Sequence, residues 1–334
     1  MKKILVTGGA GFIGSEFVRQ AIGLGYSIIV LDSISYAGDK KRLLDAAGRI
    51  VFHKVSISNA LAVDRVVKKE KPNIIVHFAA ETHVDRSILD GQIFLKTNII
   101  GTQVLLEAAR EHGIEKFVHI STDEVYGDIE KGQFFENTPF KPNSPYSVSK
   151  AGADMLVNAY ARTYKMPVNI IRASNNYGPW QYPEKLLPVI IYKAINNLKI
   201  PVYGKGLNVR EWLYVADCAR AVMAVMEKGK IGEAYNVGSG IEKRNIDVVK
   251  AVLKHLNKPQ TLIEFVQDRP GHDFRYSLNC GKITKQLGWK PLFDFEKGLD
   301  QTIDWYIKNE VWLNKKVSYL TDYWKKVYSP NKIL

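Results

Sequence analysis

Tyr146 and Lys150 stand four residues apart in Tyr146-Ser147-Val148-Ser149-Lys150. On a helix that spacing puts both side chains on one face, one turn apart. A nearby ammonium favours the phenolate and draws a pKa of ordinarily ~10 toward working pH. Such a pair is a general base for an alcohol, as a carbonyl-forming hydride transfer requires. A second cluster, His119-Ile120-Ser121-Thr122-Asp123-Glu124-Val125-Tyr126-Gly127, sets two carboxylates side by side after an apolar run. Adjacent side chains in a regular strand point to opposite faces. Asp123 and Glu124 can serve one substrate only if the chain already turns at Asp123, and a turn is expected there. Two carboxylates with opposite tasks, one acid and one base, need environments that push their pKa values apart.

A third cluster is Thr7-Gly8-Gly9-Ala10-Gly11-Phe12-Ile13-Gly14. Gly9, Gly11 and Gly14 form G-x-G-x-x-G, and Gly8 extends it to G-x-x-G-x-x-G. The motif lies between a predicted strand, Lys3 to Thr7, and a predicted helix, Phe12 to Leu24. Glycines there allow a tight turn, close backbone approach to a pyrophosphate and close helix–strand packing. The helix N-terminus offers free N–H groups to the phosphates. Asp32 ends the second strand, where a ribose-binding acid belongs. A carboxylate accepts from a free 2′-hydroxyl and repels a 2′-phosphate, so NAD is expected rather than NADP. Lys40, Lys41 and Arg42 are the one feature that argues the other way.

The elements that must position these clusters alternate. Further strands are expected at Ser27 to Leu31, Ile50 to His53, Ile74 to Phe78, Phe117 to Ile120 and Val168 to Ile171. Helices are expected at Ala60 to Lys71, Thr97 to His112 and Pro145 to Tyr164. Alternating strands and helices mean crossover units and a parallel sheet covered on both faces. Runs such as Ile74-Ile75-Val76 lack alternation, as strands buried on both faces should. After Ser174 proline and glycine cluster, and helix patterns return at Leu186 to Asn197 and Val215 to Lys228. The last stretch, with Trp305, Trp312 and Trp324 among lysines, reads as amphipathic helix whose tryptophans serve the core or a subunit contact. The fold class is α/β: a Rossmann-type, doubly wound parallel sheet with a smaller α/β substrate-binding lobe. Residues 1–174 plus 211–238 are expected to form the first domain, and residues 175–210 plus 239–330 the second.

Length and composition agree with two lobes. The 334 residues exceed the size at which single cores stop growing, ~250–300 residues. A hydrophobic content of 46% and a charged content of 24% exclude disorder and a long coiled coil. The net charge of +13 permits an anionic partner, but a solvated lysine-rich surface explains most of it. Cys218 and Cys280 are too few for a disulfide scaffold and have no metal-ligand spacing. The seven histidines show no paired spacing, so no metal site is expected. The opening Met-Lys-Lys-Ile-Leu-Val is cut short by Thr7-Gly8-Gly9, and no apolar run reaches the ~20 residues of a bilayer span. A cytoplasmic location follows as an expectation, with no membrane and no nucleic acid among the partners.

The motifs run nearly the full length. Besides those above they include Tyr36-Ala37-Gly38, Ala79-Ala80-Glu81-Thr82-His83-Val84-Asp85-Arg86-Ser87, Asn175-Asn176-Tyr177-Gly178-Pro179, Pro183-Glu184-Lys185-Leu186, Arg210-Glu211-Trp212 and Asp268-Arg269-Pro270-Gly271-His272-Asp273. In these the chain resembles the extended short-chain dehydrogenase/reductases, and within them the dTDP-glucose 4,6-dehydratases. The Thr-Asp-Glu triplet is the specific part, since related epimerases and decarboxylases lack that pair of carboxylates. The resemblance implies C4 oxidation with Tyr146, Lys150 and Thr122 handling the hydroxyl proton. Glu124 would then take the C5 proton and Asp123 protonate the departing 6-hydroxyl. It implies NAD contacts from Gly8, Gly11, Phe12, Ile13, Gly14, Asp32, Ser56, Ile57, Ala79, Ala80, Tyr146 and Lys150. For the sugar nucleotide it implies Thr82, His83, Asn175 and Glu184. Arg210, Asn176, Asn245 and Arg269 would hold the pyrophosphate, and Lys185, Leu186, Pro201 and Tyr203 the ribose and base, with His272 nearby. A homodimer through Thr97 to His112 and Pro145 to Tyr164 is implied too. Ser56-Ile57 stands where the family carries Asp-Ile; serine is shorter and uncharged, so a weaker contact to the adenine amino group and a lower NAD affinity are expected. Phe274 replaces a polar or basic residue.

UDP- or CDP-glucose dehydration is the nearest alternative, with Glu81 and Arg86 leaning toward the dTDP type. A 4-epimerase would have no use for Asp123 and Glu124. A silent NAD-binding or nucleic-acid-binding protein would lack the tyrosine–lysine pair or carry a basic, aromatic patch.

Overall fold

A computed structural model describes residues 2–268 and 271–328. The first half alternates as expected. Strands β1 (Lys3–Thr7), β2 (Ser27–Asp32), β3 (Ile50–Lys54), β4 (Ile74–His77), β5 (Lys116–Thr122) and β6 (Val168–Ala173) are separated by helices. The later strands are β7 (Asn175–Tyr177), β8 (Ile200–Tyr203), β9 (Val209–Tyr214), β10 (Ala234–Val237), β11 (Glu242–Arg244) and β12 (Ile263–Val266). Seven of them form one sheet in the order β10-β6-β5-β4-β1-β2-β3, with every pairing parallel. Ile4, Leu5 and Val6 are all fully buried. Ile4 and Val6 join the core on one face of the sheet, and Leu5 the core on the other. A run with no polar alternation is what such a two-sided strand needs.

The order reverses between β1 and β4. Chain leaves the carboxyl ends of these neighbours toward opposite faces, which opens a crevice for ligands there. Residues 174–176, Gln181, Tyr182, Glu184 and Lys185 line that crevice too. Outside the large sheet stand a three-stranded sheet, β11-β9-β7, and a parallel pair, β12-β8. A separate core is aromatic, with Tyr177, Trp212, Phe295 and Tyr306 packed together.

Two expectations about helices change. The helix expected from Thr97 begins at Gly101, after a π-helical stretch from Leu95 to Ile100. Asn98 in that stretch donates to the Glu81 carbonyl and to Ser149 Oγ, at 3.0 and 2.8 Å. These bonds tie the widened turn to the neighbouring elements. The final stretch is three helices, Phe295–Lys308, Glu310–Ser318 and Thr321–Val327. Trp305 and Trp312 pack on Trp180 at ring separations of 4.6 and 5.3 Å. Trp312 Nε1 also donates to Asp39 at 2.9 Å, joining the chain's end to the loop after β2. Among the described residues, no helix is long and apolar enough to cross a membrane.

Candidate active site

The crevice is a cleft of about 300 Å³. Every residue expected to hold the cofactor lines it, and so do Thr122, Asp123 and Glu124. The glycine loop is built to let something flat and polar come close. Gly8 has φ +70°, and a Cβ there would lie 2.6 Å from Ala79 N. A Cβ on Gly14 would lie 2.3 Å from the Gly8 carbonyl, so the helix Phe12–Gly23 can start against the strand only with glycine there. Asp32 accepts from Ala10 N and Ile34 N at 2.9 and 2.7 Å. Its carboxylate therefore fixes the glycine loop as well as facing the ribose position. Burial raises its pKa, opposed by those two N–H donors. Arg42 is buried, and donates to the carbonyls of Ala10, Ala37 and Trp180. Lys40 lies 4.5 Å over the Phe52 ring. The basic run after β2 thus includes a structural arginine, and the argument it offered for a 2′-phosphate weakens.

The chain turns at Asp123. β5 ends at Thr122, and a 3₁₀ turn covers Asp123–Tyr126. Thr122 caps it, its hydroxyl accepting from Glu124 N at 3.3 Å and donating to Asp123 Oδ1 at 3.1 Å. Both carboxylates consequently reach the same cleft. Asp123 is the more buried. Burial, then Glu124, then Glu211 push its carboxyl well above the usual range, which keeps it protonated as an acid.

Tyr146 sits in the first turn of the helix Pro145–Tyr164. Ser144 and Ser147 close a capping box there, with Pro145 inside the first turn. This local chemistry fixes where the helix begins and hence where Tyr146 points. The expected lowering of its pKa by Lys150 is corrected. Burial, reinforced by Glu124, pushes the phenol well above its ordinary value, with Thr122 opposing through a hydrogen bond. Lys150 Nζ instead donates to the Ile120 carbonyl at 2.6 Å. Burial brings its own pKa down to about 8, and Asp154 one turn further along resists that fall.

Beneath the pair lie groups that no motif signalled. Asp154 is fully buried and accepts from Arg172 Nε at 2.8 Å, with His119 Nε2 at 3.4 Å. His77 bridges Thr7 and Thr102 at 2.7 and 3.0 Å. Around the cleft, Ser121 Oγ, Asp123 Oδ2, Ser174 Oγ, Asn175 Oδ1, Asn176 Oδ1 and Gln181 Oε1 are buried without a hydrogen-bond partner. Buried polar atoms left unpaired cost about 1–3 kcal/mol each. Six around one cleft fit a polar ligand that would satisfy them. Ser174 and Gln181 escaped notice because single polar residues in such a sequence carry no spacing signal.

The other expected substrate residues divide. Thr82, Asn175, Asn176, Glu184 and Lys185 line the cleft. Glu184 commits both oxygens to protein, accepting from Tyr36 at 2.8 Å and Arg86 at 2.7 Å. It ties the entry to the helix Leu186–Ile195 to the segments after β2 and β4. Arg86 is stacked between Tyr36 and Tyr323, at 3.9 and 4.3 Å from their rings. His83 is buried behind the wall, against the Glu184 carbonyl and Tyr323. Leu186 begins the helix Leu186–Ile195 outside the lining. Arg210 donates to the carbonyls of Val209, Asp273 and Phe274 and lies 4.4 Å over Tyr276. Tyr203 packs edge-on against His272 at 5.9 Å, and Pro201 lines a neighbouring cavity beside Trp324. Asn245 opens the helix Asn245–His255 with its Oδ1 buried and unpaired. Arg269 lies outside the described residues. No cluster fit to hold a metal occurs among the described residues.

Comparison with known proteins narrows the class. The family model for GDP-mannose 4,6 dehydratase matches residues 5–302. A dTDP-glucose 4,6-dehydratase of Xanthomonas campestris pv. campestris is 44% identical over 330 residues, spanning 92% of this chain and 94% of that protein. The crystal structure of DesIV, a dTDP-glucose 4,6-dehydratase from Streptomyces venezuelae solved with NAD, superposes with a TM-score of 0.92 at 44% identity. It covers 94% of this chain and 99% of that one. The UDP-glucose 4-epimerase of Thermus thermophilus in complex with NAD also superposes, with a TM-score of 0.86 at 30% identity over 91% of this chain and 99% of that one. The shared fold therefore does not separate dehydratase from epimerase, and the residues at the strand ends must. By sequence and by structure, the chain belongs to the GDP-mannose 4,6 dehydratase family, and the relatives it matches at nearly full length are dTDP-glucose 4,6-dehydratases.

Proposed function

We propose that this protein converts dTDP-glucose to dTDP-4-keto-6-deoxyglucose and water, with NAD as its bound cofactor. The observation that carries the reading is the pair Asp123 and Glu124, brought into one cleft with Tyr146 and Lys150 by the turn at Thr122. NAD when bound accepts a hydride from C4 and returns it to C6. The glycine loop and Asp32 fit its pyrophosphate and ribose, as the close approach at Gly8 and Gly14 requires. Tyr146, with Thr122 and Lys150, takes the proton of the C4 hydroxyl. The resulting ketone acidifies C5. Glu124 removes the C5 proton and later gives one back. Asp123, held protonated by burial and by Glu124, protonates the oxygen leaving C6. Residues 1–174 plus 211–238 hold the cofactor, and residues 175–210 plus 239–330 the sugar nucleotide. The unpaired Asn176 and Asn245 oxygens, with Arg210, lie on the side assigned to the nucleotide. Incubation with dTDP-, UDP- and CDP-glucose tests the reading. The 4-keto-6-deoxy product, detected by its absorbance in alkali, is expected chiefly from dTDP-glucose. A galactose epimer in its place would sink the dehydratase reading.

The protein acts in the cytoplasm as a homodimer. Ile100, Val148 and Met155 are exposed apolar side chains on residues 97–112 and the helix Pro145–Tyr164, the two segments assigned to the contact. Light scattering at micromolar concentration will give the mass of two chains; a single-chain mass rules the dimer out.

A further inference from the structure

Two parts of the proposed C4 oxidation come from segments far apart in the chain. The glycine loop leaves β1 at Thr7, and Tyr146 sits in the first turn of the helix Pro145–Tyr164. Packed helices slide on their neighbours by about 1–2 Å at little cost. A misplacement of about 1 Å between reacting groups costs about 10²-fold in rate. Apolar packing alone therefore sets the distance between base and cofactor loop only loosely. A line of buried polar side chains spans that distance. Thr7, His77, Thr102, Asn98 and Ser149 are each at most 1% exposed, and none of them lines the cleft.

Thr7 and His77 end the paired strands β1 and β4 side by side. His77 Nδ1 lies 2.7 Å from Thr7 Oγ1, and its Nε2 lies 3.0 Å from Thr102 Oγ1. The Thr102 hydroxyl gives its one hydrogen to the Asn98 carbonyl at 2.6 Å. Toward His77 it can only accept, so Nε2 carries the ring hydrogen. Burial, then His119, then Lys150 keep the imidazole neutral, which leaves Nδ1 to accept from Thr7. Thr7 Oγ1 accepts in turn from Ala79 N at 3.4 Å, the same nitrogen that Gly8 approaches. At the other end, the Asn98 side chain accepts from Glu81 N at 2.9 Å and donates to the Glu81 carbonyl and to Ser149 Oγ at 3.0 and 2.8 Å. Ser149 gives its hydrogen to the Tyr146 carbonyl at 2.6 Å. Every hydrogen in the line has an acceptor, and one tautomer of His77 supports it.

On the reading of Tyr146 as the C4 base and NAD as the hydride acceptor, we propose that His77 and Thr102 are positioning residues for the hydride transfer. Through Asn98 and Ser149 they fix the first turn of the Tyr146 helix against the strand that carries the glycine loop. Neither touches the reacting atoms. Directional bonds resist sliding of the helix along its axis, the motion that apolar packing resists least. The line also gives the π-helical stretch Leu95–Ile100 a purpose: its widened turn holds Asn98 between the Glu81 backbone and Ser149.

The substrate analogue dTDP-6-deoxyglucose isolates the step, because it has a C4 hydroxyl and no leaving group on C6. Mixed with the NAD-loaded enzyme it will yield reduced nicotinamide, and the rate at which that absorbance appears reports C4 hydride transfer. Thr102→Val keeps the shape and removes the hydroxyl, and Thr102→Ser restores it. His77→Asn keeps an acceptor toward Thr7 and drops the link to Thr102; it replaces the valine variant if that fails to retain NAD. Thr102→Val will slow hydride transfer by about tenfold or more, while NAD content and the half-saturating concentration of the analogue stay within about twofold of wild type. Thr102→Ser will recover most of the rate. An unchanged rate in Thr102→Val, or a loss that follows NAD content or analogue saturation alone, would overturn the positioning role. A wild type that forms neither reduced nicotinamide from the analogue nor 4-keto-6-deoxy product from dTDP-glucose would sink the dehydratase reading instead.

Discussion

Asp123→Asn will slow release of water from C6 by about 10²–10⁴-fold, while C4 oxidation and cofactor binding persist. The amide has the size of the carboxyl and can still accept from Thr122, which donates to Oδ1 at 3.1 Å. It has no carboxyl proton to give. Burial and the neighbouring Glu124 hold the Asp123 carboxyl well above its ordinary value of 3.8. The folded state therefore binds a proton that the unfolded chain releases above that pH. Such a raised group contributes stability that is lost as pH rises toward the folded pKa. Asparagine removes that liability, so Asp123→Asn will be at least as stable as wild type at neutral pH. The assay is reduced nicotinamide by absorbance, alongside product by its colour in alkali. Glu124→Gln separates the partner role, because it will abolish exchange of the C5 hydrogen with deuterated solvent. Near-normal product from both variants would remove the carboxylate pair from the chemistry.

The second large effect is on stability. Asp154→Ala will cost about 3–5 kcal/mol, because it strands the Arg172 guanidinium in the interior. Arg172 is 3% exposed, and its other contacts are neutral: Tyr126 OH at 2.8 Å and the Glu136 carbonyl at 2.9 Å. Replacing both partners with apolar residues of similar volume will recover most of the loss, since a buried pair of this kind is often replaceable as a unit. His119 and Arg172 hold the Asp154 carboxyl down at about 2. The sign follows from linkage: the stability it contributes is present above the unfolded value near 3.8 and is lost as pH falls through about 2. Asp154 also supports the charge on Lys150. Activity that depends on that ammonium will fall as pH rises through about 8, and in Asp154→Asn the fall will begin at lower pH. Denaturant midpoints test the first claim and a kcat/KM profile the second. An unchanged alkaline limb in Asp154→Asn would separate Asp154 from the chemistry.

Features coded by neighbours in sequence were legible. The glycine loop, the turn at Asp123 and the helix that starts at Ser144 each depend on residues within a few positions of one another. What was not legible depends on distant segments. An arginine at 210 suggests a phosphate contact, yet backbone carbonyls of Val209 and 273–274 engage its guanidinium, and only the fold brings them there. Asp154 lies one turn beyond Lys150, but its partners come from β5 and β6. The acidity of Tyr146 was misjudged for a related reason: helical spacing reveals the lysine, while burial and Glu124 act through the tertiary structure.

The stack of Tyr36, Arg86 and Tyr323 on Glu184 bears on how the cleft comes into being. Its members come from the second strand's loop, the segment after the fourth strand, the entry to the second lobe and the final helix. A chain emerging from the ribosome can complete its parallel sheet long before Tyr323 is made. The stack behind Glu184 is finished only when the helix Thr321–Val327 docks, after most of the loop-closure entropy has been met elsewhere. The seven-stranded sheet is thus ready early, and the contacts that fix Glu184 at the edge of the cleft are the last to mature.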